Sequence, residues 1–173
     1  MNLLDYEVGN IGNHEFNYGL DFLNKSISGA EFPYINSNVY CADDNGCWNE
    51  VKKGEHLFTP YIIKQKNIID SEGNNQTINI GYIGFVPPQI LLWDKQNLTG
   101  KVTVEDIIET AKKYVPEMKA KGADLIIAIP HSGIGSTENP GDPMAENATY
   151  ALTYVDGINA ILFGHSHSIF PDA

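Results

Sequence analysis

Four of the five histidines lie in turns where apolar runs end, beside residue types that can bind a cation or move a proton. His14 lies in a glycine-flanked turn next to Asn13. His131 follows one apolar run, and His165 and His167 follow another. An amide oxygen combined with imidazole nitrogens suits a borderline divalent cation better than calcium or a thiolate-binding metal. The pattern therefore predicts a site for a divalent cation at the ends of strands.

Several of these residues also have a plain structural interpretation. The turn around His14 could be an ordinary turn or helix cap, because Asn and Gly are common turn formers. Glu15 is expected to hold that turn by hydrogen bonds and not to bind metal, whereas Glu138 and Asp142 are interpreted as solvated loop charges. The fifth histidine, His56, is predicted to face solvent.

The hydrophobic spacing predicts an α/β protein whose strands end at these histidines. Residues 1–6 resemble the end of a helix, residues 36–54 are polar and turn-rich, and Pro116 is expected to kink a helix. In such sheets, ligands collect at the carboxyl ends of the strands. The predicted strands are residues 32–35, 58–64, 77–85, 123–129 and 158–163, and the predicted helices are residues 18–28, 103–122 and 145–154.

Length and composition favour one soluble domain with its own core. The chain has 173 residues, of which 42% are hydrophobic, and its apolar runs are too short to span a bilayer. Residues 1–5 lack the basic start and the long apolar segment of a signal peptide. A formal net charge of −11 disfavours binding to a nucleic-acid polymer, but bound cations could still reverse the field of a pocket for a small phosphate substrate.

The two cysteines, Cys41 and Cys47, leave the redox compartment open. Their spacing allows a small disulfide-closed loop in an oxidising compartment, and it equally fits two reduced thiols. A two-cysteine metal site is the least favoured alternative. The acidic residues between them lack the ligand spacing of an EF-hand loop, so this segment is interpreted as a solvated turn.

Three ordered blocks carry a resemblance to a known family. They are residues 12–19, residues 131–133 and residues 164–167, and together they resemble the binuclear metallophosphoesterase superfamily. Within it, the chain is most similar to the group of bacterial 2′,3′-cyclic-nucleotide 2′-phosphodiesterases/3′-nucleotidases, which residues 82–89 also resemble. The similarity extends across nearly the whole chain. It implies the α/β/β/α sandwich of the calcineurin-like fold.

The resemblance implies a set of metal ligands. Asn13, His131 and His165 would bind one ion, and His167 would bind the other. The full-length family uses two divalent ions, Mn, Zn, Co or Mg, and one is expected in this chain. The metals would activate a water molecule and hold the phosphorus for in-line attack.

The resemblance also implies two catalytic residues. His14 would stabilise negative charge on the phosphoryl oxygens and assist the leaving group. Asn17 occupies the position where many nucleotidases of the superfamily have an Asp that orients this histidine. An amide can donate or accept a hydrogen bond but carries no charge. Asn at this position also resembles the cyclic phosphodiesterase branch.

Part of the family pattern is not recognised in this sequence. The Asp-x-His and Gly-Asp blocks of the superfamily should precede residue 12, and Asp5 and Glu7 fit neither of them. The fold is therefore expected to be a partial sandwich without its leading strands. Residues 1–173 would form one partial metal domain, without the second domain that binds the substrate base.

The resulting hypothesis is a metal-dependent phosphoesterase that hydrolyses 2′,3′-cyclic nucleotides and 3′-nucleotides. Its partner would be a small nucleotide, with no nucleic-acid polymer and no membrane, and the resemblance implies the periplasm. The alternative is a catalytically silent metal-binding fragment of such an enzyme. A structural single-zinc domain is less favoured, because the predicted site lacks cysteine and would be open.

Overall fold

The computed structural model describes residues 1–169, in which short strands and helices alternate. Single 3₁₀ turns occur at Asn2–Leu4, His14–Phe16 and Trp48–Glu50. Within these residues, no helix combines the length and the apolar character that crossing a bilayer would require. The strands are β1 (Gly9–Asn10), β2 (Tyr34–Ile35), β3 (Val39–Cys41), β4 (Tyr61–Ile69), β5 (Asn75–Phe85), β6 (Val102–Val104), β7 (Leu125–Pro130) and β8 (Ala160–Ile161). The helices are α1 (Leu20–Ile27), α2 (Ile90–Trp93), α3 (Lys95–Leu98), α4 (Ile107–Ala120) and α5 (Thr149–Leu152).

A mixed four-stranded sheet in the order β4-β5-β7-β8 is the centre of the described part. Strands β4 and β5 form an antiparallel hairpin, and β7 and β8 are added in parallel. The last residue of β5, Phe85, lies opposite Pro130, the last residue of β7. The carboxyl ends of the two strands therefore meet at one edge. Two smaller sheets flank this edge, one of parallel β1 and β2 and one of antiparallel β3 and β6.

Helix α4 covers the central sheet because one of its faces is apolar. Asp106 caps the helix, and its carboxylate accepts hydrogen bonds from the backbone N–H groups of Ile108 and Glu109. The buried face of α4 packs on the inner residues of β5 and β7. A second buried cluster lies under the turn at residues 12–19. Its members come from β3, α1, α3, β6 and the loops between them, and they include Ile11, Phe16, Leu23, Val39 and Val86.

The structure confirms the predicted helix at residues 18–28 and the predicted strands at residues 58–64, 77–85 and 123–129, with changed bounds, and it pairs the first two of these strands as a hairpin. The helix predicted to start at Thr103 begins only at Ile107, because Val102 and Val104 are buried in a strand that pairs with β3. Helix α4 continues through Pro116. The helix predicted over residues 145–154 is shortened to α5, and the predicted last strand is shortened to β8.

His56 does not face solvent, so that prediction is wrong. Its ring lies 4.2 Å from the ring of Tyr40, and its Nε2 atom hydrogen-bonds the hydroxyl of Tyr114. Burial, followed by the nearby charge of Lys113, lowers the pKa of His56. The ring of His56 therefore packs between Tyr40 of β3 and Tyr114 of α4.

Cys41 and Cys47 form a disulfide whose Cα atoms are 5.9 Å apart. The bond closes the turn after β3 and decides between the two alternatives that the sequence left open. Proteins of oxidising compartments retain such bonds.

The side chain of Asn38, which is fully buried, joins three segments. Its Nδ2 atom donates to the carbonyl oxygens of Val86, at 2.8 Å, and Glu105, at 2.9 Å. Its Oδ1 atom accepts from the backbone N–H of Val86 at 3.0 Å. The network ties the start of β3 to the end of β5 and to the beginning of α4.

Replacing Asn38 with Ala should lower the free energy of unfolding by about 3 kcal/mol, because it removes the partner of two buried backbone groups of Val86 and of the partly buried carbonyl oxygen of Glu105. Urea denaturation monitored by circular dichroism measures the change. The matched control is Asn45→Ala in an exposed turn, which should change the value by less than about 0.5 kcal/mol. Equal stability of the two variants would contradict the role of the Asn38 network.

Candidate active site

Two chain segments meet at the carbonyl oxygen of Phe85, the last residue of β5. The backbone N–H of His131 donates to this oxygen at 2.9 Å, and the Nδ2 atom of Asn10 donates to it at 2.8 Å. The approach is close, since a Cβ atom on Gly84 would lie 2.3 Å from the Oδ1 atom of Asn10. Glycine at this position allows the segment that follows β1 to lie beside the end of β7.

The side chains of Asn13 and His131 meet at this junction. The Oδ1 atom of Asn13 lies 2.7 Å from the Nε2 atom of His131, although the residues are 118 positions apart in sequence. Gly12 packs tightly against the same imidazole, and the carboxylate of Glu15 accepts a hydrogen bond from the Gly12 N–H at 2.8 Å. As predicted, Glu15 holds the turn by a hydrogen bond.

His165 completes a group of three donor side chains. Its ring centroid lies 5.0 Å from that of His131, and Trp93 stacks on it at 5.6 Å. The Nε2 atom of His165 hydrogen-bonds a carboxylate oxygen of Glu146 at 3.0 Å. The ring nitrogen left for a cation is therefore Nδ1. The backbone φ of His165 is +83°, a conformation that non-glycine residues rarely adopt outside functional sites and tight turns.

Asn13 and His131 are close enough to share one divalent cation, and His165 is the imidazole that packs against His131. Ligand atoms that share a cation at bond lengths of about 2.1 Å lie about 3 Å apart, so the pair formed by Asn13 and His131 needs only a small opening. Counting only His, Cys, Asp and Glu, no three side chains within residues 1–169 come together closely enough to hold a metal ion. The candidate set therefore depends on the amide of Asn13 as its third member.

The environment of His131 lowers the pKa of its imidazole and so favours the neutral form. Burial is the main cause that lowers its pKa, and the positive charge that His165 can carry lowers it further. His14 and His167 act in the same direction with smaller effects, while Glu15 opposes them. A neutral imidazole is the form that binds a cation. The mutual effects also indicate that all four imidazoles lie along one rim.

His14 and Asn17 lie on the exposed side of this rim. The Nδ1 atom of His14 is 2.8 Å from the Oδ1 atom of Asn17, and the Nδ2 atom of Asn17 donates to both carboxylate oxygens of Asp94, at 3.0 and 3.2 Å. The amide of Asn97 donates to the backbone oxygens of Phe16, at 3.1 Å, and Asn17, at 2.9 Å. The segment that contains α2 and α3 thus holds the turn at several points.

His167 is exposed, and its effect on the pKa of His131 is smaller than that of His165. Its backbone φ is +53°, which places it, like His165, in the left-handed region. Glu138 and Asp142 are also exposed, in agreement with their interpretation as loop charges. The structure thus brings Asn13, His131 and His165 together.

Sequence reasoning did not identify Trp93, Asp94, Asn97 or Glu146 as neighbours of the site. Residues 90–98 carry no recognisable motif, and residue 146 falls in the helix predicted over residues 145–154. These side chains reach the site through contacts between distant parts of the chain. The burial of Asp94 marks it as a candidate functional residue, but burial is not visible in the sequence.

A polar groove of about 440 Å³ opens beside this group. Residues 134–136 and the loop that follows form one wall, and Glu146 and Ser166 lie on the side nearest to His165. Because Glu146 contacts both the groove and His165, a small polar ligand in the groove would lie next to the candidate site.

Comparison with known proteins gives one family and several close relatives. The calcineurin-like phosphoesterase family matches residues 5–168. The chain is 57% identical, over 99% of its length, to the 2′,3′-cyclic-nucleotide 2′-phosphodiesterase/3′-nucleotidase of Salmonella typhimurium, and 58% identical to the protein of the same name from Yersinia enterocolitica. It covers 25% and 24% of these two proteins. The chain thus spans about a quarter of the length of the curated relatives that it matches.

The structural comparison agrees. The crystal structure of the calcineurin-like phosphoesterase YfkN from Bacillus subtilis superimposes with a TM-score of 0.88 at 49% identity, covering all of this chain and 48% of that one. A putative 5′-nucleotidase from Staphylococcus aureus superimposes with a TM-score of 0.73 at 26% identity. These similarities support the expected calcineurin-like fold.

Replacing Gly12 with Ala should displace the imidazole of His131, because the new Cβ atom would lie 2.8 Å from its Nδ1 atom. The free energy of unfolding should fall by about 1 to 3 kcal/mol through overpacking. Urea denaturation and the imidazole NMR resonances of His131 measure the two effects. Gly29→Ala is the matched control, because nothing lies within 4 Å of its added Cβ. Unchanged His131 resonances in Gly12→Ala would show that the contact is absent in solution.

Proposed function

The chain belongs to the calcineurin-like phosphoesterase family, and we propose that it carries part of the metal centre of a hydrolase acting on 2′,3′-cyclic nucleotides and 3′-nucleotides. The observation that supports this most strongly is the convergence of three neutral donors. Asn13 and His131 are in contact at 2.7 Å, and the ring of His165 lies 5.0 Å from that of His131. They lie where the carboxyl ends of two parallel strands meet, which is where α/β sheets bind ligands.

We assign Asn13, His131 and His165 as ligands of one cation and His167 as a ligand of a second. A mixture of imidazole nitrogen and amide oxygen suits Zn, Mn or Co better than Ca, and Mg remains within the range of the family. A bound cation supplies Lewis-acid polarisation of the phosphoryl group. Glu146 fixes the ring of His165 through Nε2 at 3.0 Å, which leaves Nδ1 as the ligand atom.

His14 and Asn17 are assigned as the catalytic pair. The Nδ1 atom of His14 is held by Asn17 at 2.8 Å, so the Nε2 atom of the same ring is free to face a phosphoryl oxygen. When the ring is protonated at both nitrogens, its Nε2–H group can stabilise the charge that develops in the transition state and donate that proton to the leaving oxygen, which leaves the neutral ring with its hydrogen on Nδ1. Its exposure at the rim leaves it accessible to a substrate.

The substrate class is proposed from the relatives. Proteins at 57% and 58% identity carry the name 2′,3′-cyclic-nucleotide 2′-phosphodiesterase/3′-nucleotidase, and the Bacillus subtilis relative at 51% identity is named a trifunctional nucleotide phosphoesterase. A small nucleotide is thus the proposed partner. A nucleic-acid polymer is disfavoured by the formal net charge of −11.

The alternative, a catalytically silent metal-binding fragment, is favoured by one specific observation. His167 is exposed, and within residues 1–169 it has no cluster of acidic or imidazole ligands to complete a second site. We propose that residues 1–173 form part of one metal domain, so that one cation is expected here. Under this alternative, activity would require ligands beyond those that we assign, whereas the enzyme hypothesis expects turnover by the chain as it is.

We propose a periplasmic location from the resemblance to the family and from the disulfide. The disulfide between Cys41 and Cys47 is of the kind that persists in oxidising compartments. Fractionation of the native host, followed by detection of the protein in the periplasmic extract, tests this location.

We predict that the chain binds about one Mn²⁺, Zn²⁺ or Co²⁺ ion, as measured by titration calorimetry and elemental analysis. His131→Ala should weaken binding by more than about 100-fold, because the loss of an outer-sphere partner alone costs about 10- to 100-fold. His56→Gln, which removes the histidine outside the site, is the matched control and should bind normally. Two tightly held ions per chain, or normal binding by His131→Ala, would contradict the assignment.

Hydrolysis of 2′,3′-cyclic AMP and of bis-p-nitrophenyl phosphate in the presence of Mn²⁺ or Co²⁺ tests the activity. We expect turnover by the wild-type chain, and His14→Ala should reduce kcat by about 100- to 1,000-fold while the cation remains bound. An inert wild-type chain that still binds a cation would favour the silent fragment over the enzyme.

A further inference from the structure

Asp94 is a buried carboxylate that faces the catalytic pair and not its own helix. It is 7% exposed and precedes α3, but its side chain makes no hydrogen bond to the N–H groups at the start of that helix. Its two oxygens accept instead from the Nδ2 atom of Asn17, at 3.0 and 3.2 Å. Burying a carboxylate costs free energy. Because Asp94 does not cap the helix, its burial indicates another role.

The direction of the hydrogen bonds defines that role. Both oxygens of Asp94 accept hydrogen bonds from Asn17, so Asp94 selects the orientation of the Asn17 amide in which Nδ2 points toward it. The Oδ1 atom of Asn17 then faces the Nδ1 atom of His14 at 2.8 Å. An amide oxygen also only accepts. The Nδ1 atom of His14 must therefore carry a hydrogen, which leaves Nε2 as the nitrogen that meets the substrate.

We propose that Asp94 is a positioning residue for the phosphoester hydrolysis proposed above: through the amide of Asn17 it fixes the ring orientation and the tautomer of His14. The inference rests on the proposed function for its catalytic consequence, but the arrangement of the three side chains stands without it. Asn17 carries no charge. The carboxylate is instead supplied by Asp94, which lies between α2 and α3 and acts on the imidazole through the amide of Asn17.

The backbone of the turn is held independently of Asp94. Asn97 donates to the carbonyl oxygens of Phe16 and Asn17, and Phe16 itself is fully buried. Loss of the Asp94 charge should therefore release the amide of Asn17 without displacing the turn. Asp94→Asn preserves the shape of the side chain, so it is the appropriate substitution.

Steady-state kinetics on a set of four variants test the proposal. Asp94→Asn should lower kcat by about 10- to 100-fold, because the Asn17 amide can then flip, while KM stays within about threefold. Asn17→Asp alone should also lose activity, because two carboxylates would face each other at hydrogen-bonding distance. Combining the two substitutions places one carboxylate directly on His14 and should restore kcat to within about threefold of wild type. Asp21→Asn, at an exposed site on α1, is the matched control.

The nitrogen NMR resonances of His14 give a second measurement that does not require turnover. Wild type, the control and the double variant should show the tautomer protonated at Nδ1, and Asp94→Asn should show a mixture. The proposal is overturned if Asp94→Asn keeps both its kcat and a single tautomer, or if the double variant is no better than Asp94→Asn. An inert wild-type chain would overturn the proposed function alone, because the tautomer measured for His14 would still test whether Asp94 acts on it through Asn17.

Discussion

The carbonyl oxygen of Phe85 accepts two hydrogen bonds, and the segments that donate them carry the two halves of the candidate site. One donor is the backbone N–H of His131, and the other is the side chain of Asn10, three residues before Asn13. Gly84 permits this contact because a side chain there would collide with Asn10. The 2.7 Å approach of Asn13 to His131 depends on this junction, which exists because β5 and β7 run parallel and end together.

The candidate metal ligands are neutral groups, and the carboxylates of the site contact a ligand or the catalytic pair by hydrogen bonds. Glu146 holds the ring of His165, and Asp94 holds the amide of Asn17. A cation bound by neutral groups keeps most of its positive charge for a phosphoryl group, whereas direct carboxylate ligands would neutralise it. This arrangement also explains how a chain with a net charge of −11 could bind an anionic substrate. Glu146 and the stacked ring of Trp93 also hold the side chain of His165, whose backbone φ is positive.

Local patterns predicted the elements that local forces form. The spacing of apolar residues was sufficient to predict α1, the buried strand β7 and the strands β4 and β5, which pair as a hairpin. The prediction failed where a distant partner decides the structure. Val102 and Val104 form a strand only because β3 lies beside them, and His56 is half-buried only because Tyr40 and Tyr114 pack against it.

The sequence by itself determined the kinds of donor in the site and their order along the chain, because those properties are carried by residue types in short motifs. It also predicted that they would lie at strand ends. Only the tertiary structure decided which donors meet, and it brought Asn13, His131 and His165 together while it left His167 exposed. It alone added Asp94 and Glu146. The physical reason is that burial and hydrogen bonding between residues tens of positions apart depend on how the sheet and helices pack, which no local pattern encodes.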